Sequence, residues 1–177
     1  TPLEKNKKIL EKVNLEGTKN LFNHIKDKTK SIIYISGLGV YGETQDELVD
    51  ETFPYNPNTD FVKIRLEAQK FLEKNCKELG INFTVIHFGD VYGSGGWYYE
   101  ILVKRLLKNT FRLPKGGDYY KAFIHVNDAV GSMMSILEKK SAKEYNTEKP
   151  EKDYKVTIDK SVKKVRPYTV CAIVKNL

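Results

Sequence analysis

Ile32-Ile33-Tyr34-Ile35-Ser36-Gly37-Leu38-Gly39-Val40-Tyr41-Gly42, answered further along by Val85-Ile86-His87-Phe88-Gly89-Asp90-Val91-Tyr92-Gly93, is the pair of segments that decides the fold. In each, a short apolar, β-branched run breaks into small residues and then into Val-Tyr-Gly. A parallel strand covered on both faces reads this way where it delivers a loop to the carboxyl edge of its sheet. In open α/β sheets that edge is where ligands bind. Between the two segments the sequence predicts one amphipathic helix, capped by Thr59 or Asp60 and stopped by Gly80, with Leu66, Ala68, Phe71, Leu72 and Leu79 on its inner face.

Working outward, Leu3, Ile9, Leu10, Val13, Leu15, Leu21, Phe22 and Ile25 recur at three- and four-residue intervals, which predicts a helix over residues 3–26. Gly17-Thr18 interrupts it, and such a glycine usually allows close packing. Residues 31–36 and 81–87 are the expected strands. Residues 43–58, with Asp50, Glu51, Pro54 and Pro57, are too long for a tight connection and read as a candidate lid or binding loop. Downstream, a helix is expected over residues 97–107, a strand over 120–124, and a helix from His125-Val126-Asn127-Asp128 to about Leu137. Asp128 suits a capping or first-turn role there. Glu144-Tyr145-Asn146 is read as a last strand, and an apolar piece beginning at Arg166 closes the chain.

The totals exclude several classes. A chain of 177 residues with 40% hydrophobic content can build a real core. The formal charge of +7 and pI near 9.2 come from lysines scattered as solvated helix faces, so no nucleic-acid partner is expected. Cys76 and Cys171 form no CxxC pair and no metal cluster, as in a reducing compartment. No run of about 18 apolar residues exists, so no membrane span is expected, and no leader is seen, which gives a cytoplasmic location by default. The chain opens on Thr1-Pro2-Leu3-Glu4, which reads like the inside of a longer protein.

Val13-Asn14-Leu15-Glu16-Gly17-Thr18, the segment from Ser36 to Gly42, Arg65-Leu66-Glu67-Ala68, Gly89-Asp90-Val91-Tyr92-Gly93 and Phe123-Ile124-His125-Val126-Asn127-Asp128-Ala129 occur in order. This ordered set resembles the extended short-chain dehydrogenases/reductases of the NAD-dependent epimerase/dehydratase group. The resemblance implies an α/β fold, the carboxyl-side portion of a Rossmann-type doubly wound parallel sheet with a small substrate-binding part. It implies a core over residues 1–140, with substrate-binding segments interleaved at about 94–122, and a peripheral or substrate-domain segment over 141–177. It also implies NAD or NADP as cofactor, a small or nucleotide-linked hydroxy or keto substrate, and a homodimer through the helices at 3–26 and 59–79. The GxxGxxG turn that holds the pyrophosphate in such proteins does not occur before Leu3. Either the chain is partial or another chain supplies those strands.

The chemistry departs from that group. Its members use a Tyr, a Lys one helical turn later and a Ser or Thr from the first loop. Those positions fall here on Phe61, Arg65 and Gly37, while the helix asparagine of the group is matched by Asn14. Phe61 can neither give nor take a proton. Arg65 stays charged and can grip ribose hydroxyls or a phosphate, but it does not shuttle protons. Asp90, Tyr41 and Tyr92 are the possible substitutes, and Ser36 lies one residue from the expected hydroxyl, on the opposite strand face. By the resemblance, Ser36, Gly37, Arg65, Phe88, Gly89 and Val91 are cofactor-side positions, and Asp90, Trp97 and Lys121 are substrate-side positions. His87 can be either hydrogen-bonded structure or a base. The function expected is an epimerase/dehydratase-like oxidoreductase with a degenerate Ser-Tyr-Lys triad; the alternative is a catalytically inactive dinucleotide-binding sensor, scaffold or regulatory protein.

Overall fold

The computed structural model describes residues 4–44, 49–112, 122–145 and 172–176. Among them, five strands form two sheets: β1 (Ser31–Gly37), β2 (Asn82–Phe88), β3 (Asp90–Tyr92), β4 (Phe123–His125) and β5 (Ala172–Asn176). The helices are α1, a continuous run of Lys7–Leu10, Glu11–Glu16 and Gly17–Ile25; α2 (Asp60–Leu79); α3, Tyr98–Val103 followed by Lys104–Leu107; and α4 (Val126–Tyr145). The chain divides after Phe88 into two compact units, the first comprising residues 1–88 with 172–177 and the second residues 89–171.

In the first unit, β1 and β2 pair in parallel from Ser31 opposite Asn82 to Gly37 opposite Phe88, and β5 pairs antiparallel on the far side of β2. The order is β1-β2-β5, so among the described strands β1 is an edge. Phe22 of α1 and Leu72 and Cys76 of α2 meet Phe83 and Val85 of β2, with Ile32, Tyr34 and Phe71 packed against them. Both helices therefore share one face of the sheet. Phe22 and Phe71 meet edge to face at 5.6 Å, a geometry that adds about 1 kcal/mol to their burial.

Helix α2 has the expected ends. Thr59 Oγ1 accepts from the Val62 amide, and Gly80 closes the helix in the left-handed region at φ +68°. Its buried face holds Ile64, Leu66, Ala68, Gln69, Leu72 and Cys76. Leu79, expected inward, is exposed instead, because it sits in the last turn beyond the reach of the core. In α1, Asn14 Nδ2 donates to the Leu10 carbonyl and Thr18 Oγ1 donates to the Asn14 carbonyl. Residues 11–16 between these side-chain bonds form a π-type turn. Gly17 is exposed and admits no neighbouring element, so close packing is not the reason for it. The apolar repeat of α1 is also wider than its buried stripe: Leu10 and Phe22 are buried, while Ile9, Val13 and Leu21 are exposed.

In the second unit, β3 and β4 pair in parallel from Asp90 opposite Phe123 to Tyr92 opposite His125. Helix α4 runs to Tyr145, beyond the end expected near Leu137. Glu144 and Tyr145 are thus helical and not part of a last strand, as suits the helix-forming Ala142, Lys143 and Glu144 in that stretch. This helix crosses residue 140, and residues 172–176 of the closing segment supply β5 to the first unit's sheet. No helix among the described residues is long and apolar enough to cross a membrane.

Candidate functional site

Strand β1 ends at Gly37 in extended conformation and passes into a 3-10 turn, Leu38–Tyr41. A Cβ at Gly39 would lie 3.3 Å from Val62 Cγ2, so this turn rests against the start of α2. The first turns of α2 carry Phe61 and Arg65. The Arg65 guanidinium donates through Nη2 to the Ile35 carbonyl of β1 and lies 5.7 Å from the Phe61 ring centre and 6.0 Å from that of Tyr34. Tyr34 Oη in turn donates to the Arg65 carbonyl at 3.2 Å. Two reciprocal hydrogen bonds and two ring faces thus hold one arginine where the resemblance implies a proton-relay lysine. Asn14 spends its side-chain amide on its own helix, at 3.0 Å from the Leu10 carbonyl.

Behind this edge lies a buried polar chain. His87 of β2 is 0% exposed; its Nδ1 lies 3.3 Å from Tyr41 Oη and its Nε2 3.2 Å from Gln69 Oε1. Gln69 Nε2 donates to Tyr55 Oη at 3.0 Å. An amide oxygen only accepts, so His87 carries its proton on Nε2 and accepts the Tyr41 hydroxyl at Nδ1. The rings pack as well: Tyr41 meets His87 at 5.3 Å, Tyr55 at 5.5 Å and Phe53 at 6.0 Å. Burial, with Tyr55, Glu51 and Asp50 adding smaller contributions, pushes the Tyr41 phenol well above its ordinary range. A proton-relay tyrosine needs the opposite shift, so Tyr41 is built as a neutral hydrogen-bond donor.

The loop after β1 is fastened to the same place. The Asn56 amide donates to the Val40 carbonyl at 2.9 Å, and a Cβ at Gly42, whose φ is +72°, would stand 2.2 Å from the Asn56 carbonyl oxygen. Only glycine fits that turn without displacing backbone.

In the second unit, Gly89 is held by closeness: a Cβ there would meet the Ala122 carbonyl at 2.6 Å, and the Asp90 amide donates to that carbonyl at 2.9 Å. Asp90 is half-buried, and Val91 pairs with Ile124. Tyr92 joins a ring cluster with His125 at 5.1 Å, Tyr98 at 5.6 Å and Phe123 at 6.3 Å, and Trp97 meets Tyr98 at 6.1 Å. His125 Nδ1 accepts from the Asn127 amide at 3.3 Å at the start of α4, and Asp128 lies in the first turn. Lys121 lies outside the described residues.

Sequence reasoning missed Gln69 and Tyr55. The signal for Gln69 was present, since it stands three residues after Leu66 and three before Leu72, a lone amide in an apolar stripe. Tyr55 gave no such signal inside its proline-rich loop. Among the described residues no group of three His, Cys, Asp or Glu could hold a metal. Toward a dinucleotide, this chain offers the remaining donors of the half-buried Arg65 and the Oγ of Ser36, which is 5% exposed and has no hydrogen-bond partner among the described residues. These fit the ribose side of such a cofactor in charge and in donors to spare.

Comparison with known proteins adds the family. The model described as the NAD dependent epimerase/dehydratase family matches residues 3–148. The chain is 24% identical over 132 residues to human dTDP-D-glucose 4,6-dehydratase, covering 72% of this chain and 38% of that one. A second curated relative, from Methanocaldococcus jannaschii, is 25% identical over 134 residues, covering 71% of this chain and 44% of that one. The chain therefore spans under half the length of these relatives. Among solved structures, UDP-glucose 4-epimerase of Thermotoga maritima with UDP-glucose is 26% identical, with a TM-score of 0.58 over 68% of this chain and 42% of that chain. UDP-glucuronic acid 4-epimerase of Bacillus cereus, in complex with UDP-glucuronic acid and NAD, has a TM-score of 0.62 at 22% identity, over 71% of this chain and 41% of that chain, and shares the Rossmann-type fold.

Proposed function

Because this chain belongs to the NAD-dependent epimerase/dehydratase family, we propose that the complete protein binds NAD(P) and a small or nucleotide-linked hydroxy or keto compound, as an epimerase/dehydratase-like oxidoreductase with a degenerate proton relay. The observation that carries this reading is the Phe61 and Arg65 pair at the carboxyl edge of β1. It keeps the frame of such a site while removing the phenol. When bound, the nicotinamide supplies hydride transfer. The residues of this chain would hold the ribose through Arg65 and Ser36, with Gly37 leaving the strand end free of a side chain. Asp90, Trp97 and Lys121 are the substrate-side residues in this proposal, and the partner is a second copy docked through α1 and α2, where Val13, Leu21 and Leu79 are exposed. The location proposed is the cytoplasm.

A second reading, a dinucleotide-binding protein without turnover, is favoured by one fact: Arg65 is already bonded to Ile35 and stacked on two rings. The experiment that separates the two uses the full-length protein, titrated with NAD and NADP and then assayed with UDP- and dTDP-linked sugars. Binding with turnover supports the oxidoreductase. Binding without turnover, unchanged when Phe61→Tyr and Arg65→Lys are combined, supports the second reading. Absence of dinucleotide binding sinks both.

A further inference from the structure

We propose that α3 is a docking surface for an anionic lipid bilayer, on which the helix lies flat without crossing it. Along α3 the apolar residues Tyr99, Leu102, Val103, Leu106 and Leu107 recur at intervals of three and four, which places them in one stripe. Such a stripe normally faces a core. Here no residue of the helix is buried: Leu102 and Val103 are half-buried, Tyr99 and Leu106 are exposed, and Leu107 is 78% exposed. The helix is tied to its own unit through Tyr98, whose ring lies 5.6 Å from that of Tyr92. Exposed apolar residues scattered singly are ordinary, but a stripe of them marks an interaction surface.

The charges that border the stripe decide what it meets. Against one acidic residue, Glu100, residues 97–112 carry the cations Lys104, Arg105, Lys108 and Arg112. Lys104 is paired with Glu100, while Arg105, Lys108 and Arg112 form no ion pair among the described residues. A second copy of the helix would bring these like charges together along the stripe, and a nucleic acid would leave the leucines in water. An anionic bilayer surface satisfies both features. The leucines enter the boundary between headgroups and acyl chains, while the Lys and Arg stems lie along it and their charged ends reach the phosphates. Tyr98 and Tyr99 at the amino end fit the headgroup level, where an apolar ring and a polar hydroxyl both find their surroundings. The helix has six residues followed by four, about 15 Å in length at 1.5 Å per residue, against a hydrocarbon core of about 30 Å. It therefore lies in the plane of the surface. This inference is independent of whether a dinucleotide binds, since it uses no residue at the carboxyl edge of β1.

The test is co-sedimentation of the complete protein with vesicles of phosphatidylcholine alone or of phosphatidylcholine mixed with phosphatidylglycerol. The expected result is binding to the anionic vesicles at least about tenfold tighter than to the neutral ones. Raising the salt from about 0.1 M to about 0.5 M should weaken it about tenfold. Leu106→Gln combined with Leu107→Gln leaves the charge unchanged and should lower affinity for the anionic vesicles about tenfold. Leu107→Gln alone, at the most exposed of these positions, should lower it about threefold. No binding to either vesicle, or equal binding to both, overturns the proposal. So does a folded double variant that binds as tightly as the parent, which would leave bare charge attraction. Sedimentation velocity without lipid supplies the remaining outcome: a dimer of the parent that the double variant loses would assign the stripe to a second copy and overturn the proposal.

Discussion

Replacing Arg65 separates its structural duty from any duty toward a cofactor. Its guanidinium makes one hydrogen bond to the Ile35 carbonyl and lies 5.7 and 6.0 Å from two ring centres. A hydrogen bond involving a charged group contributes about 1.5–3 kcal/mol, and each partly exposed cation–π contact about 0.5–1 kcal/mol. Arg65 is half-buried, so the lower ends apply, and Arg65→Met, which keeps the apolar stem, should cost about 2.5 kcal/mol. Phe61→Leu removes one of the ring faces. A double-mutant cycle between the two should give a coupling of about 0.5–1 kcal/mol. The assay is urea unfolding of the complete protein at 25 °C, with the slope of the transition checked for constancy. A cost under about 0.5 kcal/mol for Arg65→Met, together with no coupling to Phe61, would refute the fastening argument. If dinucleotide affinity fell in that same variant, Arg65 would be a ligand contact held in reserve.

Gly42→Ala should destabilise by at least about 2 kcal/mol, because φ is +72° and the new methyl would meet the Asn56 carbonyl oxygen at 2.2 Å; a thermal midpoint within a degree of the parent would contradict this. Tyr41 should be among the last of the 11 tyrosines to ionise in an alkaline absorbance titration, since burial raises its phenol. The sign follows from the raised folded value: the stability tied to its protonated form is complete below the unfolded tyrosine value of about 10 and is lost as pH climbs above it. Tyr41→Phe should remove that part of the alkaline loss while costing about 1 kcal/mol at pH 7 for the bond to His87. Leu72→Ala, in the core between α2 and the sheet, should cost about 2–5 kcal/mol by chemical denaturation.

The parts of the fold that follow from local rules were legible. Residues 31–36 and 81–87 read as strands because both are largely apolar on both faces, although only β2 is buried and β1 is half-buried with Ile35 exposed, and α2 read correctly at both ends because Thr59 and Gly80 are specific capping residues. What failed lay where one pattern fits two outcomes. Val13, Leu21 and Leu79 obey helical periodicity and are exposed, because periodicity reports a stripe and not what covers it. Glu144 and Tyr145 were too short a cue to tell a strand from the continuation of a helix. The sequence also singled out Gly37, Phe61 and Arg65 and what those residue types cannot do. It did not disclose that Arg65 reaches back to Ile35, nor that His87, Gln69, Tyr41 and Tyr55 form one chain. Those contacts join residues 14 to 46 positions apart, where sequence spacing carries no information.

Phe61 and Arg65 are better understood as one structural unit than as two separate positions. A tyrosine and a lysine one helical turn apart form a relay because the ammonium is a compact charge beside a polarisable hydroxyl. A lysine beside phenylalanine would keep the charge and lose the hydroxyl that orients it. An arginine beside phenylalanine gains a partner of matching shape, since a planar guanidinium can lie over a ring while its outer nitrogen reaches the Ile35 carbonyl. Each residue makes the other favourable, and together they fasten α2 to β1. Phe61→Tyr alone would set a phenol beside a cation whose outer nitrogen is committed elsewhere, and Arg65→Lys alone would strand a compact charge against a ring. On the proposed reading of this edge, a phenol and an ammonium one helical turn apart are obtained only when both positions change together, which is why the paired variant, and neither single one, is the informative test of turnover.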